Sequence, residues 1–191
     1  MPSPGRTKAE LRREFRARLH GMQDAVLAER SRQICRHIAG SAWFDGDPIA
    51  AYLALPGEPD LGAVLREAAD HGKRLAVPDA GAGQVRLAAY RPGDELRQGP
   101  YGKVPAAADA IEAAAVSLWL VPGLAFAGDG TRLGRGKGYY DRLLAAASPT
   151  ARILGVAFRR QVVDRLPREP HDRPVHAVVT ERGMVTVTRR P

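Results

Sequence analysis

Cysteine is nearly absent from this chain: Cys35 is the only one. No intrachain disulfide can form, which excludes the small disulfide-stapled secreted scaffolds and makes a cytoplasmic setting the expectation. Long hydrophobic runs are missing as well. The longest, such as 116–122, have strand length and fall far short of the ~20 residues a membrane helix needs. No membrane association is expected. The first eleven residues are charged and have no apolar core, so no secretory signal is read there. Aromatics amount to only 6%, and they do not interleave with basic residues as a nucleic-acid-binding face requires. Acidic residues are outnumbered, 21 against 29 Lys and Arg, which leaves a formal net charge of +8. A polyanionic partner fits that surplus, but plain arginine abundance accounts for it at least as well. The positions of the basic residues therefore matter more than their number.

What remains is ordinary globular composition, 45% hydrophobic and 26% charged over 191 residues. That length suits one domain spanning 1–191, read as a monomer, better than two. Thr7 and Glu10 have the spacing of a helix capping box, and Leu11, Phe15, Leu19 and Met22 follow at helical intervals. Lys8, Arg12, Arg13, Arg16 and Arg18 fall on the polar face of that helix. A second helix is expected over 25–39 and another over 61–71. Strands are expected at 48–55, 74–78, 85–90, 116–121 and 153–158, and a hairpin joins 177–180 to 184–188. Segment 91–106, rich in Pro and Gly, reads as a loop, as does 122–137, with a helix over 138–147 and a short helical turn at 162–166. Strands alternating with helices predict an α/β fold: a three-layer, Rossmann-like sandwich with a mainly parallel sheet. Ligands of such sheets bind at the carboxyl ends of the strands, where the loop after Val121 begins.

That loop ends in the segment that carries chemistry, Thr131-Arg-Leu-Gly-Arg-Gly-Lys-Gly-Tyr-Tyr-Asp141. Gly134, Gly136 and Gly138 let backbone N–H groups converge on one anion. Arg132, Arg135 and Lys137 add positive charge, and the helix that follows aims its N-terminus at the same place. Asp141, in the first turn of that helix, suits a carboxylate that holds Mg2+ beside phosphates. The pattern is not a Walker A loop, since Gly138 follows Lys137 and Thr131 stands where the first glycine belongs. Nor is it the dinucleotide motif, since Tyr139 replaces the last glycine. By itself the segment specifies an anion without saying which.

The segment, preceded by Val121-Pro-Gly-Leu-Ala-Phe126, closely resembles the signature of the 5-formyltetrahydrofolate cyclo-ligases, also called methenyltetrahydrofolate synthetases. Lys8-x-x-x-Arg12, Tyr52-Leu-Ala-Leu-Pro-Gly-Glu58, Tyr101-Gly102 and His171-Asp172-x-Pro174 resemble further family elements in the right order. The resemblance implies an ATP- and Mg2+-dependent ligase acting on a reduced folate. Lys8, Arg12, Arg132, Leu133, Gly134, Arg135, Gly136, Lys137, Gly138, Tyr139 and Tyr140 would hold ATP. Arg135, Lys137 and Tyr139 would be catalytic. Leu53, Glu58, Tyr101 and Tyr139 would contact the folate, and Asp141 would hold the metal. His176 stands where many members carry a metal-supporting aspartate, and no metal is placed on it. Two other readings are a divergent paralogue that keeps the ATP site for another substrate, and a basic nucleic-acid-binding module.

Overall fold

The computed structural model describes residues 6–81, 84–100, 102–170 and 172–188. Helix α1 covers Lys8–His20 and α2 covers Asp24–Ala39. The N-terminus of α1 is closed by the expected capping box. The Glu10 N–H donates to the Thr7 hydroxyl and the Thr7 N–H donates to the Glu10 carboxylate. Strand β1 (Ile49–Ala50), helix α3 (Gly62–Asp70) and strands β2 (Leu75–Gly81) and β3 (Gln84–Tyr90) follow. The next strands are β4 (Leu96–Gly99), β5 (Gly102–Pro105), β6 (Ala110–Ile111), β7 (Leu118–Pro122), β8 (Ala125–Ala127) and β9 (Arg132–Leu133). Helix α4 (Tyr139–Ala145), then β10 (Arg152–Val156), β11 (Val162–Val163), β12 (Ala177–Thr180) and β13 (Gly183–Thr186), complete the fold.

Eight strands form the main sheet in the order β13-β12-β10-β7-β1-β2-β3-β6. The four central pairings, from β12 to β2, are parallel, and the pairings of β13, β3 and β6 are antiparallel. The continuous apolar run of β7 follows from burial on both faces. Leu118 and Leu120 join the core under α1, α2 and α3, while Trp119 and Val121 join the core under α4. Helices on both faces of a mostly parallel sheet give the three-layer α/β fold that the alternation predicts.

Several local expectations give way to tertiary pairing. Segment 91–106 contains the hairpin β4–β5, in register from Leu96 opposite Pro105 to Gly99 opposite Gly102. Its anchor is remote: Arg97 donates at 2.9 Å to Asp79, a buried carboxylate on β2. Segment 122–137 contains β8 and β9, and β11 pairs with β8 where a helical turn is expected. Strand β1 keeps ladder pairing only at Ile49–Ala50, after which the chain leaves the sheet toward the turn at 55–58. Helix α4 is seven residues long, shorter than expected, so its dipole is a smaller source of anion affinity.

Strand β10 has no room beside Phe126. A Cβ on Gly155 would lie 2.5 Å from the fully buried Phe126 ring. Gly155→Ala is therefore expected to destabilise the fold by roughly 1–3 kcal/mol through overpacking, measured as a lower urea midpoint. An unchanged midpoint would mean that the Phe126 ring moves aside without cost.

Candidate active site

A cleft of about 680 Å3 opens where the central strands end. Its floor includes Leu53 beyond β1, Pro78 of β2 and Pro122 of β7. Helix α1, the β4–β5 hairpin and the 132–141 loop form its walls. Among the described residues, seven basic side chains line it against four carboxylates, a surplus of positive charge that suits a multiply charged anion.

The glycine segment is nested against α1. The Arg12 Nε donates to the Gly134 carbonyl at 3.1 Å, and the Arg16 Nη2 donates to the Arg135 carbonyl at 3.0 Å. Gly136 has φ +95°, a conformation side-chain-bearing residues avoid, and a Cβ there would lie 3.2 Å from the Arg12 guanidinium. The loop therefore needs glycine at 136 for two reasons, backbone conformation and close approach.

Ion pairs cross-link residues that line the cleft. The Arg135 Nε donates to Glu58 Oε1 at 2.9 Å. Glu58 also accepts from the Leu55 N–H at 3.1 Å, and only 7% of its side chain is exposed. Burial pushes the Glu58 carboxyl above the usual glutamate range, although the charge and hydrogen bond of Arg135 and the Leu55 amide pull the other way. In a second cluster, Lys8 Nζ lies 2.8 Å from Asp172 and 2.9 Å from Glu169. Burial works against the Lys8 ammonium, but the hydrogen bonds and charges of the two carboxylates prevail and raise its pKa. The third pair joins Arg132 to Asp141 at 2.6 Å; its arginine side chain is the most enclosed of the three cations, with 5% exposed.

Arg132 thus meets Asp141 before any ligand, and its guanidinium also lies 5.6 Å from the centre of the Tyr140 ring. The Tyr140 hydroxyl is buried with no hydrogen-bond partner among the described residues. Burial, with the Glu58 charge adding to it, raises its pKa and keeps it protonated. Tyr139 is half-buried, with the Arg142 guanidinium 5.0 Å from its ring centre. Leu133 is buried in the core and also lines the cleft.

All the expected site residues that the structure describes border this one cleft: Lys8, Arg12, Leu53, Glu58 and the run 132–141. Tyr101 lies outside the described residues, although its neighbours Pro100 and Gly102 line the cleft. Arg16, Lys103 and Glu169 line it without having been expected. Arg16 had a signal, since it continues the i, i+4, i+8 series of Lys8 and Arg12. Lys103 and Glu169 sit in segments with no readable pattern. His176 is held elsewhere: its Nδ1 accepts from the Ile153 N–H at 2.9 Å beside the start of β10. Among the described residues, no three His, Cys, Asp or Glu side chains form a group able to hold a metal on their own.

A family model described as the 5-formyltetrahydrofolate cyclo-ligase family matches residues 4–181. The chain is 32% identical to a 5-formyltetrahydrofolate cyclo-ligase of Mycolicibacterium smegmatis, over 95% of this chain and 98% of that one. It is 26% identical to the mouse 5-formyltetrahydrofolate cyclo-ligase, over 91% of this chain and 93% of that one. Its fold superposes on the NMR structure of Aquifex aeolicus 5,10-methenyltetrahydrofolate synthetase with a TM-score of 0.84 at 29% identity, covering 96% and 94% of the two chains. A 5,10-methenyltetrahydrofolate synthetase from Mycoplasma pneumoniae shares the fold, with a TM-score of 0.75 at 18% identity over 92% and 99% of the chains.

Gly136→Ala tests the nesting of the loop. Forcing a Cβ into the left-handed region costs about 1–2 kcal/mol, so Gly136→Ala should lower the stability of the fold by about that amount unless the loop gives way locally. Differential scanning calorimetry measures the shift, and an unchanged melting temperature would mean that the loop leaves α1 in the variant.

Proposed function

The chain belongs to the 5-formyltetrahydrofolate cyclo-ligase family, and from that premise we propose how its cleft carries out the family's reaction. The reaction is the ATP-dependent conversion of 5-formyltetrahydrofolate to 5,10-methenyltetrahydrofolate, releasing ADP and phosphate. The formyl oxygen takes the terminal phosphoryl group of ATP. N10 then attacks the activated carbon and releases its proton to solvent, the ring closes, and the C–O bond breaks as phosphate leaves. A formamide oxygen is a poor leaving group and a phosphate ester a good one, so activation is the step that ATP supplies. Phosphoryl transfer of this kind depends on positioning and cationic clamps more than on a protein nucleophile.

The observation that supports the assignment of residues is the convergence of α1, Glu58 and the 132–141 loop on one cationic cleft at the strand ends. Lys8, Arg12 and the loop from Gly134 to Tyr140 hold the phosphates. Arg135 and Lys137 neutralise charge on the group in transfer. Glu58 accepts from the N–H donors of the pterin, Leu53 packs on its face, and Tyr139 sits against the formyl end. Tyr101 completes the folate side. Arg132 sets the orientation of Asp141. Mg2+ bound beside nucleotide phosphates needs only one or two carboxylates from the protein, and Asp141 is the hard oxygen donor best placed to provide one. When bound, the ion offsets the phosphate charge. Because Arg135 and Glu58 hold each other in this structure, both ligands compete with an internal bond: phosphates for the arginine and the pterin for the carboxylate. We further read the enzyme as a monomer of one domain acting in the cytoplasm on ATP and a reduced folate, with no nucleic acid or membrane partner.

Mixing the protein with Mg-ATP and 5-formyltetrahydrofolate should generate the absorbance of the methenyl product. A folded, ATP-binding protein that gives none would point to a paralogue with another substrate. Lys137→Ala should abolish that turnover and leave the circular dichroism spectrum unchanged, since the residue is exposed. Glu58 gives a pH signature. Protonation removes the charge that accepts from the pterin, so kcat/KM for folate should fall as pH drops through the raised pKa of this residue. That acidic limb lies above the ~4.3 of an ordinary glutamate. In Glu58→Gln the limb should disappear and the neutral-pH value should be low; a limb retained in the variant would assign the titration to another group.

A further inference from the structure

Helix α1 offers Lys8, Arg12 and Arg16 on successive turns of one face, yet the three are held by different kinds of partner. Lys8 meets carboxylates. Arg12 and Arg16 each donate to a main-chain carbonyl, those of the adjacent residues Gly134 and Arg135. In a planar trans peptide the carbonyl and the following N–H point in opposite directions. Holding the Gly134 and Arg135 carbonyls toward α1 therefore turns the Arg135 and Gly136 amides away from the helix. It also fixes the backbone from which the Arg135 side chain reaches Glu58 at 2.9 Å.

We propose that Arg16 is a positioning residue for phosphoryl transfer: it clamps the Arg135 peptide so that the Arg135 guanidinium and the Gly136 amide are set before ATP arrives. The proposal rests on the cleft being the nucleotide site. The hydrogen bond at 3.0 Å to a neutral carbonyl requires a donor, which distinguishes this role from that of a phosphate clamp, which requires charge. The helix itself does not depend on Arg16. Leu11, Phe15 and Leu19 bury its other face in the core, so loss of the guanidinium loosens the loop while α1 stays docked.

The test uses Arg16→Met, which keeps the aliphatic stem, and Arg16→Lys, which restores a donor. Hydrogen exchange of the amides at 134–138 is followed in the nucleotide-free protein, and steady-state kinetics are measured over a range of salt concentrations. Arg16→Met should show faster exchange in that loop and unchanged exchange in α1. Its kcat should fall about ten- to a hundredfold, the cost of a misplaced catalytic group. KM for folate should stay within about twofold, and the salt dependence of KM for ATP should match the wild type, because no phosphate contact is lost. Arg16→Lys should recover most of both effects. Unchanged loop exchange, together with a raised and less salt-sensitive KM for ATP, would make Arg16 a phosphate ligand and overturn the proposal. So would wild-type exchange with wild-type kcat. The exchange arm needs no turnover, so if the wild type makes no methenyl product, the functional assignment fails while the clamp on the loop is still judged by its own readout.

Discussion

Like charges crowded around one cleft repel, and that constraint shapes this enzyme. A cleft lined by many cations holds like charges close together whether or not a polyanion is present. Left without partners, those cations would push apart the elements that carry them. Here the cleft satisfies them internally. Lys8 sits between Asp172 and Glu169, Arg132 holds Asp141, and Arg135 holds Glu58. Arg12 and Arg16 take main-chain carbonyls instead. The cleft is thus held in shape by bonds among its own residues.

The Arg135–Glu58 pair shows how far this arrangement reaches. Glu58 belongs to the turn after β1 and Arg135 to the loop before α4, so one bond joins two walls of the cleft. Burial makes the glutamate costly to ionise alone, and the arginine offsets that cost. Arg132 plays the quieter part: shielded from solvent, it orients the carboxylate of Asp141.

Much of this was legible from local pattern. The capping box of α1, the apolar run of β7 and the tight turn between β12 and β13 depend on neighbours within a few residues, and each forms as expected. The elements that differed depend on distant partners. The β4–β5 hairpin is rich in proline and glycine, and it is tied to the rest of the fold by distant contacts: Val104 is buried and Arg97 pairs with Asp79 on another strand. β11 is a strand only because β8 lies beside it. β1 is cut short where its residues are diverted to line the cleft.

The same division runs through the site. By itself the sequence marked 131–141 as suited to an anion and, through its resemblance, determined which family the chain joins, because glycines and cations in a continuous segment form a readable pattern. It also named most of the charged residues that the structure gathers around one cleft. Only the tertiary structure decided what each of them touches. Lys8 and Asp172 are 164 residues apart, and Arg135 and Glu58 are 77 apart. Which carboxylate meets which cation is set by strand order and by the docking of α1 across the strand ends, and no local spacing encodes that.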